Sequence, residues 1–195
     1  MHPLAVAKAS LLFNSASNSM RALRTVTDGD EAYVIYSDFL TAWVKIFTVL
    51  EKGSKTSAQS RQWFGKKKRD RRELGILQYF YQARNDDTHG LEPVIHITRG
   101  TAIFPVKEGE EYTVLEGRQI GLSLIDKDGN RVIPDRHTHC NITPSTVTTR
   151  DGTKLHPPIS YKGEPIKDIS IFGLTRIALD YSEEMIKEAV GLQDS

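Results

Sequence analysis

The chain has 195 residues, of which 38% are hydrophobic and 26% charged, enough apolar residue to bury a core and too much for a globally disordered chain. Its 26 Lys and Arg oppose 25 Asp and Glu, a formal net charge of +1, so affinity for a polyanion must come from local clustering rather than from a basic field over the whole surface. The single cysteine, Cys140, excludes an internal disulfide and fits a reducing compartment, and no run of about 18 uncharged apolar residues marks a membrane span.

Leu4 to Phe13 is mildly apolar, but Lys8 interrupts it and neither a basic n-region nor a cleavage pattern accompanies it. It is not read as a secretory signal, and the expectation is a cytoplasmic protein with no membrane partner. Residues 3–25 form a first helix, with Leu4, Leu11, Leu12, Met20 and Leu23 on much of one stripe. Thr27-Asp28-Gly29-Asp30 is a turn that caps the next segment. Residues 31–52 form a second helix, where Tyr36, Phe39, Leu40, Trp43, Ile46, Phe47 and Leu50 recur at spacings of three and four. Residues 58–86 form a third, with a break expected near Gly65; its first half is polar and basic, and Leu74, Leu77, Phe80 and Tyr81 lie on one side of its second half. Gly90 and Pro93 end it.

Beyond Val94 the period shortens toward strands, over 94–98, 101–106, 112–115, 119–125, 131–134 and 146–150, punctuated by Gly, Asp and Asn. Asp126-Lys127-Asp128-Gly129-Asn130 is a hairpin turn rather than a calcium loop, because its Gly comes one position early and no Glu closes it. A last helix starts near Asp168 as N-cap and carries Leu174, Ala178, Tyr181, Met185 and Ala189 in near-heptad fashion. Residues 194 and 195 are expected to fray. Three antiparallel helices leave a groove that a fourth fills. The fold class is therefore α+β: a mainly α-helical four-helix bundle, residues 1–92 plus 166–195, with a small antiparallel β insertion, residues 93–165, before the last helix.

The chemistry concentrates at Gln82-Ala83-Arg84-Asn85-Asp86-Asp87-Thr88-His89-Gly90. An imidazole moves protons near neutral pH, and a guanidinium holds a phosphate in two-point contact. Upstream lies the basic cluster Lys66, Lys67, Lys68, Arg69, Arg71 and Arg72, which can track a nucleic-acid backbone or simply form a solvated helix face. Asp70 and Glu73 dilute it. Trp63 and Phe64 beside it can stack on bases, although a place in the core or a dimer interface suits them better.

Arg84, four intervening residues and His89, with Asn85 straight after the arginine, resemble the signature of HEPN domains (higher eukaryote and prokaryote nucleotide-binding), where it lies near the end of a late helix of an α-helical bundle. The likeness covers residues 1–92 and 168–195, not the β insertion. It implies metal-independent RNA cleavage with no cofactor, a homodimer in which two copies of the motif face one cleft, and a setting in toxin–antitoxin, phage-defence or RNA-processing systems, where an antitoxin would be a further partner. RNA supplies its own nucleophile, the 2′-hydroxyl; cleavage needs a base, an acid and positive charge on the phosphate. His89 can serve as base or acid with a two-fold mate in the other role, Arg84 can stabilise the transition state, Asn85 can orient His89 or the phosphate, and Asp86 or Asp87 can fix the imidazole tautomer.

Positions five apart on a straight helix differ by about 140° in direction, so Arg84 and His89 share a site only if the helix ends between them or a second copy completes it. The competing reading makes Arg84, Asp86 and Asp87 exposed helix-end charges and His89 a partner of the helix dipole, in a non-catalytic dimeric scaffold or partner-binding protein. His137, His139 and Cys140 form a second cluster, but one cysteine and no paired spacing make a poor zinc site, and no metal is expected. Asn141-Ile142-Thr143 matches a glycosylation acceptor without any sign of secretion.

Overall fold

The structure, a computed structural model, describes residues 1–90, 92–98, 102–117, 121–133, 136–137 and 141–193. Among them are five α-helices, α1 (Pro3–Ala22), α2 (Gly29–Gly53), α3 (Ala58–Glu73), α4 (Gly75–His89) and α5 (Ile171–Gly191), with a 3-10 turn at Ser54–Thr56 between α2 and α3. The mixed α+β class is as expected. The predicted third helix is two helices, and the break falls at Leu74 rather than at Gly65. Leu74 takes extended angles (φ −82°, ψ 110°), its N–H still closes α3 on Asp70 O, and its carbonyl opens α4 by accepting from Leu77 and Gln78. Gly65 sits inside α3 with open space around it, so it costs helix propensity without bending the chain.

The apolar periodicity of α2 places it at the centre. Tyr36, Phe39, Leu40, Trp43, Ile46, Phe47 and Leu50 are all completely buried. Phe39 and Trp43 meet Phe80 of α4 with ring centroids 5.7 and 5.9 Å apart, and Phe47 stacks on Tyr181 of α5 at 6.3 Å. The indole of Trp43 donates to Ala178 O of α5 at 3.2 Å, so the largest buried side chain is also polar-satisfied. Residues 29–56 are long and apolar enough to cross a membrane by length and composition, but here their apolar face builds this core. α1 lies along α2, and close approach is needed at its start: a Cβ on Gly53 would fall 2.2 Å from Ala5 Cβ.

Ser170, not Asp168, caps α5 by accepting from Gly173 N–H at 3.2 Å. Asp168 instead accepts from Ser170 N–H at 2.9 Å, and contact with Ser170 holds its carboxyl below the usual carboxylate range.

Between α4 and α5 the described residues form antiparallel strand pairs. β3 (Tyr112–Gly117), β4 (Gly121–Asp126) and β5 (Arg131–Val132) make a three-stranded unit. β1 (Ile95–Thr98) pairs with β7 (Asn141–Pro144), β2 (Ala102–Ile103) with β6 (Arg136–His137), β8 (Val147–Thr148) with β9 (Lys154–Leu155), and β10 (Ser160–Tyr161) with β11 (Glu164–Pro165). The Asp126–Asn130 segment is the expected turn: the Asp126 carboxylate accepts from the N–H groups of Asp128 and Asn130 at 2.9 and 2.8 Å, and Gly129 takes φ +82°. Val94, Ile95, Ile142 and Val147 are buried in the helical core, which fastens the β region to the bundle.

Candidate functional site

α4 runs unbroken from Gly75 to His89, and this continuity governs the Arg-x4-His segment. Arg84 and His89 project about 140° apart, whereas Asn85 and His89 stand one above the other at i, i+4. A cleft of about 730 Å³ is lined on one side by Asn85, Asp86, His89 and Gly90 at the end of α4, and on the other by Thr148, Thr149 and Arg150 at the end of β8. Arg84 does not line it. It is half-buried, and its side chain makes no hydrogen bond or ion pair among the described residues, while its carbonyl accepts from Thr88 Oγ1 at 2.9 Å. The structure therefore brings His89 and Asn85 together and leaves Arg84 apart from them within one chain.

The two carboxylates are spent on the fold. Asp87 accepts from the Tyr33 hydroxyl and the Ser37 hydroxyl of α2, both at 2.6 Å. The hydrogen bond to Asp87, then burial, push the Tyr33 phenol up to about 12. Asp86 accepts from Thr148 N–H at 2.7 Å and so ties β8 to α4. Its other oxygen lies where a side chain at position 90 would begin: a Cβ on Gly90 would fall 2.2 Å from it. A second tie runs parallel, the buried Tyr79 donating to Ser145 O at 2.6 Å. Asn85 Nδ2 lies 3.4 Å from Gln82 Oε1, a long contact that leaves most of its hydrogen-bonding capacity to the cleft.

The basic cluster divides in two. Lys67 pairs with Glu188 of α5 at 2.7 Å with only 12% of its side chain exposed, Lys68 lies 3.2 Å from Glu51 of α2, and the Arg71 guanidinium stacks 4.2 Å over the Tyr81 ring. These three, with Asp70 accepting from the Tyr181 hydroxyl at 2.8 Å, hold α3 to the bundle. Lys66, Arg69 and Arg72 are exposed at i, i+3 and i+6, a slanting row of cations on the outer side of α3. Phe64 is in the core, which removes it from base stacking, and the half-buried Trp63 donates to Glu188 at 2.7 Å.

Comparison with family models, with curated proteins and with solved structures returns no match to this chain. The site therefore rests on its own geometry. Among the described residues no group of three or more His, Cys, Asp or Glu side chains could hold a metal ion. His137 lies in β6, while His139 and Cys140 are outside the described residues.

Thr148, Thr149 and Arg150 are the site residues that sequence reading missed. Asp151-Gly152 is a turn-forming pair, and the structure has a turn there, with Gly152 at φ +84° and its N–H on Thr149 O at 2.9 Å. Nothing in the periodicity of either segment links position 148 to position 86, sixty-two residues earlier.

Proposed function

We propose that this chain is a HEPN-like, metal-independent ribonuclease or RNA-binding protein, acting in the cytoplasm as a homodimer and working on RNA at the His89 cleft. The observation that carries the reading is that His89 and Asn85 line one cleft from a single helix face, with both neighbouring carboxylates already occupied by neutral donors. That engagement lessens the objection that Asp86 and Asp87 would repel a phosphate. In the reaction the 2′-oxygen attacks phosphorus and the 5′-oxygen leaves, giving a 2′,3′-cyclic phosphate and a free 5′-hydroxyl. One imidazole takes the 2′ proton, and a second acid, His89 of another copy, supplies a proton to the leaving oxygen. Arg84 joins such a site only from a second copy, so dimerisation belongs to the proposal. The exposed row Lys66, Arg69 and Arg72 supplies salt-sensitive backbone contact.

The test compares the folded wild type with His89→Ala and Arg84→Ala on mixed RNA in the presence of chelator. Cleavage by the wild type and its loss in His89→Ala are expected. An inert, well-folded wild type, or equal cleavage by all three, ends the nuclease reading. One observation favours a non-catalytic scaffold instead: Asp86, Asp87, Lys67, Lys68 and Arg71 all make contacts that hold the fold together. That reading expects RNA neither cut nor bound, with a dimer that tolerates both substitutions.

A further inference from the structure

We propose that Arg150, carried by the hairpin between β8 and β9, is the cation that grips phosphoryl oxygens in the His89 cleft, which makes the β region half of the site. The inference builds on the RNA reading for its substrate, but its core is a phosphate site that can be tested without RNA. A phosphate-binding cleft needs a positive partner, and Arg84 is not among the residues lining this one. Arg150 is, together with His89 and Asn85. Its side chain is exposed and makes no ion pair, hydrogen bond or ring contact among the described residues.

Both acids beside it accept hydrogen bonds from within the chain, although Asp86 also lines the cleft. Asp151 accepts from the Thr149 hydroxyl and from Thr153 N–H within its own turn, and Asp86 takes Thr148 N–H. A guanidinium left with its planar fork of donors free suits two-point contact with a phosphate.

The hairpin is a fixed mount rather than a loose loop. Val147 is completely buried, Thr149 N–H meets Thr153 O at 2.8 Å, and Gly152 in the left-handed region closes the turn. The Asp86–Thr148 hydrogen bond sets this mount against the end of α4, which makes Asp86 a positioning residue for Arg150 rather than an orienter of the imidazole. The geometry also gives the 93–165 insertion a role within the site.

The test uses the full chain and its variants Arg150→Ala, Arg150→Lys and His89→Ala, each checked for a wild-type unfolding curve. NMR follows the His89 ring and Arg150 guanidinium signals during titration with inorganic phosphate, and RNA cleavage is measured in parallel with chelator. Phosphate should move both signals; Arg150→Ala should weaken its binding by about tenfold or more, and Arg150→Lys should fall between because it keeps the charge but loses the fork. Wild-type signals that stay still, or phosphate binding in Arg150→Ala within about twofold of wild type, overturn the assignment. Phosphate held through Arg150 without any RNA cleavage supports the assignment and sinks the ribonuclease reading. RNA cut normally by Arg150→Ala but not by His89→Ala sinks the assignment and leaves that reading standing.

Discussion

Asp87→Ala removes the acceptor of two hydrogen bonds, from Tyr33 and Ser37, that hold α4 against α2. Hydrogen bonds to a charged acceptor contribute on the order of 1.5–3 kcal/mol each. Both donors are half-buried and can recover some hydration, so the lower end applies and the pair is worth about 3 kcal/mol. At a urea slope of about 2–3 kcal/mol per M, the unfolding midpoint should fall by roughly 1–1.5 M with the slope unchanged. Asp87→Asn keeps one acceptor oxygen without the charge and should lose about half as much. Combining Asp87→Ala with Tyr33→Phe should cost less than the sum of the single changes, by about 1 kcal/mol, because the two side chains act as one contact. The Tyr33 phenol, now pushed up to about 12, should return toward its ordinary 10 in Asp87→Ala, which phenolate absorbance reads directly. A stability change under about 0.5 kcal/mol refutes this accounting. Lost RNA cleavage at wild-type stability would refute it in another way, by showing that Asp87 serves the His89 imidazole.

Gly90→Ala puts a Cβ 2.7 Å from Asp86 O and 2.2 Å from its carboxylate, so it should cost about 1–3 kcal/mol and release the β8 hairpin, seen as lost protection of Thr148 N–H in hydrogen exchange. Tyr36→Phe deletes a fully buried hydroxyl with no hydrogen-bond partner among the described residues; it should leave stability unchanged or raise it by up to about 1 kcal/mol, and a clear loss on denaturation would show that the hydroxyl is satisfied. Burial raises the Tyr36 and Tyr79 phenols, so the folded chain keeps protons that the unfolded chain releases. Stability from that difference is complete below about pH 10 and falls above it by about 1.4 kcal/mol per pH unit for each buried tyrosine, and a flat stability profile through that range would refute the sign. Replacing Lys66, Arg69 and Arg72 together by Ala should leave the fold intact and reduce the salt dependence of RNA binding, by about 0.7 in the log–log slope for each lost phosphate contact, whereas Lys67→Ala should register in stability instead.

The helical half was legible because its signal is local. The run from Tyr36 to Leu50 repeats with the helical period, and a period of that length has one cheap solution: a buried stripe against neighbours. The end of α3 was misplaced because Gly65 is a weak helix former and Leu74 a strong one, so propensity pointed to the wrong residue. Leu74 leaves the helix because Arg71 and Tyr81 stack across the junction and α4 must turn its own stripe, Ile76, Phe80 and Ala83, toward the core. Among the described residues of the β region most strands are two to four residues long, too short to display a period. The candidate site divides the same way. His89 and Asn85 could be found from one helix, while Arg150 reaches them through contacts such as the hydrogen bond between residues 86 and 148, which is a fact of tertiary structure.

α4 shows why residue type alone misassigns function at such a site. Its apolar stripe faces the core, Asp87 faces α2, and Tyr79 and Asp86 face the β region, so the two carboxylates that look catalytic in sequence are fastenings of two interfaces. A fastening has hydrogen-bonding capacity committed within the chain, and a ligand that took that contact would loosen the fold. His89 and Arg150 have no such side-chain partner among the described residues. Lack of a partner is insufficient, since Lys66, Arg69 and Arg72 also point to solvent and water satisfies them there. The difference is concavity. A charge on the outer side of α3 acts through screened water, with a reach of about 10 Å or less at ordinary salt. A charge in a cleft walled by α4 and β8 can meet a ligand that touches two elements at once. On that physical ground the outer row should govern how strongly a polyanion is attracted, and the cleft which phosphate is held.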